Sequence, residues 1–182
     1  MFERRHLVAG NSACSALLAS QRIVLLCVWI LLILVVPIEA TPKQIELPDN
    51  TTIALHRGGC EKRCAVYDVT IRANGRVTYE GQHYVRRGGR REAKIDPLVV
   101  RALIEQFYDA DFFSLRARYD SSDAQACPST LSDGPRAIIA VTVGNQFKTV
   151  IHDHKCVGPA TARLIELEDS IDKAAGTSLW IK

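Results

Sequence analysis

Two histidines and a cysteine stand at alternate positions near the end of a predicted strand. His152, His154 and Cys156 are separated by single residues, and on an extended chain alternate side chains point to the same face. Two imidazoles and a thiolate are ligands for zinc or copper, and Cys127 or His56 would supply a fourth ligand. The alternative is that Cys156 is oxidised and the histidines are ordinary residues at a strand end. A disulfide at Cys156 and a metal at Cys156 exclude each other.

Four cysteines follow the first 40 residues: Cys60, Cys64, Cys127 and Cys156. An even number in an exported chain is typical of disulfides, and four cysteines allow three pairings. We favour Cys60–Cys64, which flanks a short turn, and Cys127–Cys156, which would tether a long polar loop and stabilise the fold by roughly 3–4 kcal/mol. The alternative for Cys60 and Cys64 is thiol–disulfide redox chemistry. Redox pairs usually have two intervening residues and lie at a helix N-terminus, whereas Cys64 opens a predicted strand.

Residues 1–40 have the features of an export signal. Arginines precede the unbroken apolar run 23–36, and Ala40 follows it, as in a secretory signal peptide. A spanning helix needs about 20 apolar residues, so a signal peptide is expected, with an uncleaved membrane anchor at residues 23–38 as the alternative. In both cases positive charge stays on the cytoplasmic side. The rest of the chain is therefore expected in the periplasm or outside the cell.

A linker and a single domain are predicted after this segment. Residues 41–50 contain two prolines and are predicted to be the linker, and residues 51–182 the domain. A short strand is predicted at 51–57, and alternation of apolar and polar residues predicts another at 65–72. Asn74-Gly75 then predicts a hairpin with a type I′ turn, which needs positive φ at both positions.

A hairpin followed by a helix is predicted twice along the domain. Asp96-Pro97 predicts a helix N-terminus, Gly144-Asn145 the turn of a second hairpin, and Gly158-Pro159 the start of a second helix. The basic, glycine-rich run 86–94 and the polar stretch 119–135 are predicted to be loops. The order strand, hairpin, helix, hairpin, helix predicts an α+β fold. We expect an antiparallel sheet of about five strands with two helices packed on one face.

The charge and the motifs exclude several classes of function. A formal net charge of +3 is too weak to indicate nucleic-acid binding. The chain has no Gly-x-Ser-x-Gly turn and no phosphate-binding glycine loop, so we expect no catalytic residues and no cofactor. Arg57, Asp68 and Tyr79 are the candidate residues for a polar binding surface.

Two groups of residues resemble a known family. The first is Arg57-x-Gly59-Cys60-x-x-x-Cys64-x-x-Tyr67-x-Val69-x-Ile71, followed by Gly75-x-Val77-x-Tyr79-x-Gly81. The second comprises Phe107, Asp111-Phe112-Phe113, Tyr119 and the closing Leu167-Glu168-x-x-Ile171-Asp172. Together they resemble an uncharacterised family of exported bacterial domains, a domain of unknown function, over residues 53 to 176. Family members usually carry a glycine between the two cysteines and a proline after the second, and this chain has neither. The resemblance implies a shared fold and export, and it supplies no activity.

The sequence therefore predicts a non-catalytic domain of the cell envelope that is held by disulfides. Its expected role is binding or interaction, with a cell-envelope protein or ligand as partner and the membrane as a further contact if the N-terminal segment is uncleaved. A zinc or copper protein using His152, His154 and Cys156 is one alternative. A redox protein using Cys60 and Cys64 is the other.

Overall fold

The computed structural model describes residues 46–182. The predicted signal or anchor at residues 1–40 and the first part of the predicted linker lie outside the described residues. No helix between residues 46 and 182 is long and apolar enough to cross a membrane. The described residues form a mixed domain of helices and strands.

Nine strands and three helices occur within the described range. The strands are β1 (Thr52–Arg57), β2 (Val66–Arg72), β3 (Arg76–His83), β4 (Gly89–Lys94), β5 (Arg118–Tyr119), β6 (Ser129–Thr130), β7 (Arg136–Val143), β8 (Gln146–Asp153) and β9 (Cys156–Val157). The helices are α1 (Pro97–Asp109), α2 (Pro159–Ala175) and α3 (Ser178–Ile181), and a 3-10 turn spans Phe112–Ser114.

Seven of the strands form one sheet in the order β4-β3-β2-β1-β7-β8-β5. All neighbours are antiparallel except β5, which runs parallel to β8. Strands β6 and β9 form a separate antiparallel pair. The prediction of about five strands was therefore too small, because β4 and β5 arise from segments predicted to be loops. Every residue of β4 except Ala93 is exposed, so this edge strand has no alternating apolar pattern to reveal it.

The first hairpin was predicted correctly, but its turn was not. Three residues, 73–75, connect β2 to β3, and only Gly75 among them has a positive φ, at 81°. The amide of Gly75 donates to the carbonyl of Arg72 at 2.8 Å, as in a three-residue hairpin that ends in a left-handed glycine. The carbonyl of Gly75 also accepts a hydrogen bond from Ile95, which ties the turn to the start of α1.

The core lies on one face of the sheet. In register, Ile53 faces Ile71 on one side and Val141 on the other, and all three side chains are buried. Buried residues of α1 and α2, Phe107 and Leu164 among them, belong to the same hydrophobic cluster. The sheet and both longer helices therefore share one core.

Both longer helices begin where the sequence predicts. The side chain of Asp96 accepts a hydrogen bond from the amide of Leu98 at 2.8 Å, and Pro97 is the first residue of α1. Helix α2 begins at Pro159 and ends before Gly176, which has a left-handed φ of 69°. Among the apolar residues on the buried side of α2 is one fully buried acid, Glu168.

One row of paired residues crosses four neighbouring strands at the end of the sheet. Tyr67 faces Arg57, Arg57 faces Ala137, and Ala137 faces His152. Paired residues in a sheet project from the same face, and Tyr67, Ala137 and His152 are buried. This row brings a phenol, a guanidinium and an imidazole under α2.

Candidate functional site

A cluster of polar and charged side chains joins this row to α2. We call it the strand-end cluster, and its members are Arg57, Tyr67, His152, His154, Glu168, Asp169 and Asp172.

Glu168 is the centre of the cluster. Its Oε1 lies 2.8 Å from His152 Nδ1, and its Oε2 lies 2.6 Å from His154 Nε2. Arg57 Nη1 donates to the same Oε2 at 2.5 Å. Burial raises the pKa of Glu168, but hydrogen bonds from His152 and His154 and the charge of Arg57 outweigh it and hold the pKa at about 2. The hydrogen bonds and the charge of Arg57 therefore favour the carboxylate form of Glu168.

The ionised state of Glu168 fixes the tautomer of His152. A carboxylate only accepts hydrogen bonds, so Nδ1 of His152 must carry a proton. The other ring nitrogen, Nε2, is buried and has no hydrogen-bond partner within residues 46–182. The rings of His152 and His154 stack, with 4.5 Å between their centroids. In neutral His152, Nε2 therefore has a lone pair that the described part of the protein leaves unused.

Arg57 pairs with Asp169 and Asp172 in the last turns of α2 as well as with Glu168. Its Nε and Nη2 lie 3.1 and 2.8 Å from Asp172 Oδ2, and Nη2 also lies 3.2 Å from Asp169. Burial opposes the charge of Arg57, but Asp172 and Glu168 raise its pKa above the ordinary range. Arg57 is therefore a permanent cation that links β1 to α2.

Tyr67 completes the hydrogen bonding of Asp172. Its hydroxyl donates to Asp172 Oδ1 at 2.7 Å, and Thr177 donates to the same oxygen at 3.0 Å. Burial and the neighbouring charge of Asp172 raise the pKa of Tyr67 above its usual value. Tyr67 therefore acts as a hydrogen-bond donor here, and it is a poor candidate for a general base.

The predicted metal ligands are only partly brought together. His152 and His154 lie side by side, but the third potential ligand atom within 4.8 Å comes from Glu168. Cys156 points elsewhere, with its Sγ 3.6 Å from the carbonyl of Ala126. Glu168 was not among the predicted metal ligands, because apolar periodicity identifies the buried side of α2 and not the partners of a polar residue on it. A lone acid within the apolar stripe of α2 was the available signal.

The three residues proposed for a binding surface lie in different places. Arg57 belongs to the strand-end cluster. Asp68 lies on the opposite face of the sheet, where it contacts His56 Nδ1 at 2.8 Å. Tyr79 is fully buried, with its ring 5.5 Å from that of Tyr67 and 4.8 Å from that of Trp180. These residues do not form one surface.

One of the two favoured disulfides is present. Cys60 and Cys64 are bonded, with 5.6 Å between their Cα atoms. Cys127 and Cys156 are buried free thiols, so the bond predicted between them is not formed in this structure. Burial and the neighbouring Cys127 raise the pKa of Cys156 to about 12. Backbone pairing of β6 with β9 holds this loop without a covalent bond.

A polar groove lies beside the disulfide and next to the cluster. Its lining residues are His56, Gly58, Gly59, Cys60, Glu61, Asp133, Gly134, Arg136, Asp153 and Lys155. A Cβ at Gly134 would lie 2.9 Å from the backbone carbon of His154, and a Cβ at Gly58 would lie 3.1 Å from the carbonyl oxygen of Arg136. At Gly134 the groove wall is therefore packed directly against the backbone of His154, a member of the cluster.

Four residues of the two groups that carry the family resemblance meet in this cluster. Arg57 and Tyr67 come from the first group, and Glu168 and Asp172 come from the second. No curated protein matches the chain. Residues 51–175, more than half of the chain, match the family called Domain of unknown function (DUF6438). The chain therefore belongs to the DUF6438 family.

Proposed function

We propose that this protein is an exported, non-catalytic binding module whose ligand occupies the polar groove. The observation that carries the proposal is the position of the groove between the disulfide-bonded β1–β2 loop, the segment that leads into β7 and the segment that follows β8. All of these segments are anchored to the strand-end cluster or packed against it. A rigid frame that presents loop residues is the usual construction of a binding site.

The arrangement of the polar groups favours binding over turnover. In the cluster, the oxygens of Glu168 and Asp172 are each held by neighbouring donors. A general acid or base needs a proton position that faces the substrate, and these side chains are directed at one another. In the groove, Cys60 is in a disulfide, so it supplies no thiolate nucleophile.

The charges of the groove indicate the class of ligand. Asp153 neutralises Lys155, with 3.9 Å between the charged atoms. Arg136 is exposed and makes no ion pair with the described residues. A free guanidinium binds carboxylates in a bidentate geometry. Glu61 and Asp133 also line the groove, so its charges are mixed. We therefore infer that the ligand is a segment of a cell-envelope protein that places one carboxylate on Arg136.

Site-specific photo-crosslinking in intact cells tests this function. A photoreactive amino acid replaces Lys155 in the groove or, as a control, Glu105 on the exposed side of α1. We expect a discrete protein adduct from position 155 alone, and we expect Arg136→Glu to abolish it. Adducts that form equally from both positions, or that persist with Arg136→Glu, would contradict the proposal. Protease added outside the cell-envelope barrier, with and without permeabilisation, tests export separately.

A further inference from the structure

We propose that His152, His154 and Glu168 form a binding site for one zinc-class divalent cation. This inference does not depend on a ligand in the groove. It replaces Cys156, the third ligand expected from the sequence, by an acid from a different element.

The donor atoms have the chemistry and the spacing that such an ion requires. One ligand atom from each of the three residues lies within 4.8 Å of the other two. Two imidazole nitrogens and a carboxylate oxygen form an established set of protein ligands for zinc. His152 and Glu168 are fully buried, so both are held in place by packing. A preformed site of this kind loses little entropy on binding an ion.

The charge of the cluster favours a divalent cation. Among residues 46–182, Arg57 is the one arginine or lysine that pairs with Glu168, Asp169 and Asp172. With neutral imidazoles, three carboxylates against one guanidinium leave two negative charges uncompensated. One divalent cation would balance them.

The geometry of His152 decides which of its nitrogens would bind the ion. Nδ1 is the nitrogen that faces Glu168, at 2.8 Å from Oε1, so an ion shared with Glu168 would take the place of the Nδ1 proton. Nε2 would then carry the proton of the neutral ring.

In the ion-free protein, the guanidinium of Arg57 occupies part of the proposed metal site. Its Nη1 lies 2.5 Å from Glu168 Oε2 and 3.5 Å from His154 Nε2, which is where a positive ion would compete. The guanidinium is planar and rigid, so an ion at Glu168 would shift the whole group, with Asp172 as its remaining buried carboxylate partner. We therefore expect Arg57 to weaken metal binding, and removal of its charge to strengthen binding about tenfold or more.

The test uses the tag-free full-length protein, purified in mild detergent and treated with a chelator. Zn²⁺ affinity is measured by competition with a chromophoric chelator, and Co²⁺ absorption reports the ligand environment. We expect one Zn²⁺ per chain and at least a hundredfold weaker binding by His154→Ala. His83→Ala, which removes an exposed histidine of β3, is the matched control and should bind like the wild type. Arg57→Gln should bind more tightly.

A measurement on the wild type avoids any dependence on how the variants fold. Zn²⁺ should shift the ring nitrogen resonances of His152 and His154 and leave those of His56 unchanged. Failure to bind Zn²⁺ at millimolar concentration, or equal binding by His154→Ala and the wild type, would overturn the site. Shifts of all histidines together would show adventitious binding and would overturn it too. Loss of the site would leave the crosslinking result for the groove unaffected.

Discussion

Arg57 and Asp172 lie 115 residues apart in the chain, and two nitrogens of Arg57 approach one oxygen of Asp172 at 2.8 and 3.1 Å. The contact joins the last residue of β1 to the last turn of α2. Through Nη1 the same guanidinium also pairs with Glu168, whose side chain is fully buried. Arg57 therefore fixes the helix on the sheet and neutralises a carboxylate that water cannot reach.

Replacement of Arg57 by methionine should lower the free energy of unfolding by roughly 3–5 kcal/mol, because it leaves the buried carboxylate of Glu168 without its cation. Urea unfolding followed by circular dichroism measures the loss. The matched control is Arg76→Met, which breaks the exposed pair of Arg76 with Glu92 and should cost less than about 1 kcal/mol. Equal losses in the two variants would show that the buried pair has no special weight.

Removal of the hydroxyl of Tyr67 should have a smaller effect. Tyr67→Phe keeps the ring against Tyr79 and deletes one hydrogen bond to Asp172. We expect a loss of about 1 kcal/mol, which is typical of a hydrogen bond, with a higher value if Asp172 remains underpaired. Tyr84→Phe, at a residue that is 62% exposed, is the control and should change the unfolding free energy very little. A neutral Tyr67→Phe variant would contradict the role assigned to this hydroxyl.

The cysteines should behave as two different pairs. In the folded protein Cys127 and Cys156 are buried, and a thiol with a pKa of about 12 is rarely a thiolate. We therefore expect both to resist iodoacetamide until the protein is denatured. Peptide mapping after denaturation without reductant should find Cys127 and Cys156 alkylated and Cys60 protected by its disulfide. Protection of Cys127 and Cys156 after denaturation would instead support the pairing predicted from the sequence.

The disulfide of the β1–β2 loop should make a modest contribution to stability, because the loop that it closes is short. The double substitution Cys60→Ser/Cys64→Ser should lower the unfolding free energy by roughly 2 kcal/mol, since few residues lie between the two cysteines. Urea unfolding of the variant and of the wild type without reductant measures this difference. Treatment of the wild type with reductant should reproduce the loss, and it should have no further effect on the variant.

Local signals in the sequence were sufficient to predict most of the fold. The apolar face of β2 and β3 is visible as alternation, and Asp96-Pro97 and Gly176 mark helix ends through capping chemistry. Strand β4 was missed because a solvated edge strand needs only one partner and no buried face. The turn at Gly75 was assigned two residues because the Asn-Gly dipeptide does not by itself set the length of the loop.

The strand-end cluster was harder to predict because its contacts are not local. His152 and His154 were found through their spacing on one strand, and a strand pattern contains that information. Glu168 contacts these histidines from a helix. Its position in an apolar stripe predicts that the side chain is buried, but not which residues it contacts. The pairing of Arg57 with Asp172 depends on how α2 lies across the sheet, which no single segment encodes.

The pH dependence of stability should depend partly on Asp120, in the long polar segment between β5 and β6. Hydrogen bonds from Ser122 and the contact with Arg118 at 2.9 Å lower the pKa of Asp120 to about 2. Its pKa in the unfolded chain is about 3.9. The folded state therefore binds this proton less tightly, and the stabilisation is complete above the unfolded pKa and is lost as the pH falls towards 2.

Asp120→Asn should consequently be less stable than the wild type by roughly 2 kcal/mol above pH 5, and the difference should vanish near pH 2. The asparagine can still accept a hydrogen bond from the amide of Ser122, so the measured loss reflects mainly the charge. Urea unfolding at a series of pH values from 2 to 7 measures the difference. Asp109→Asn, at the exposed end of α1, is the control and should differ from the wild type by less than about 0.5 kcal/mol. A difference for Asp120→Asn that stays constant down to pH 2 would show that its carboxylate charge does not stabilise this segment.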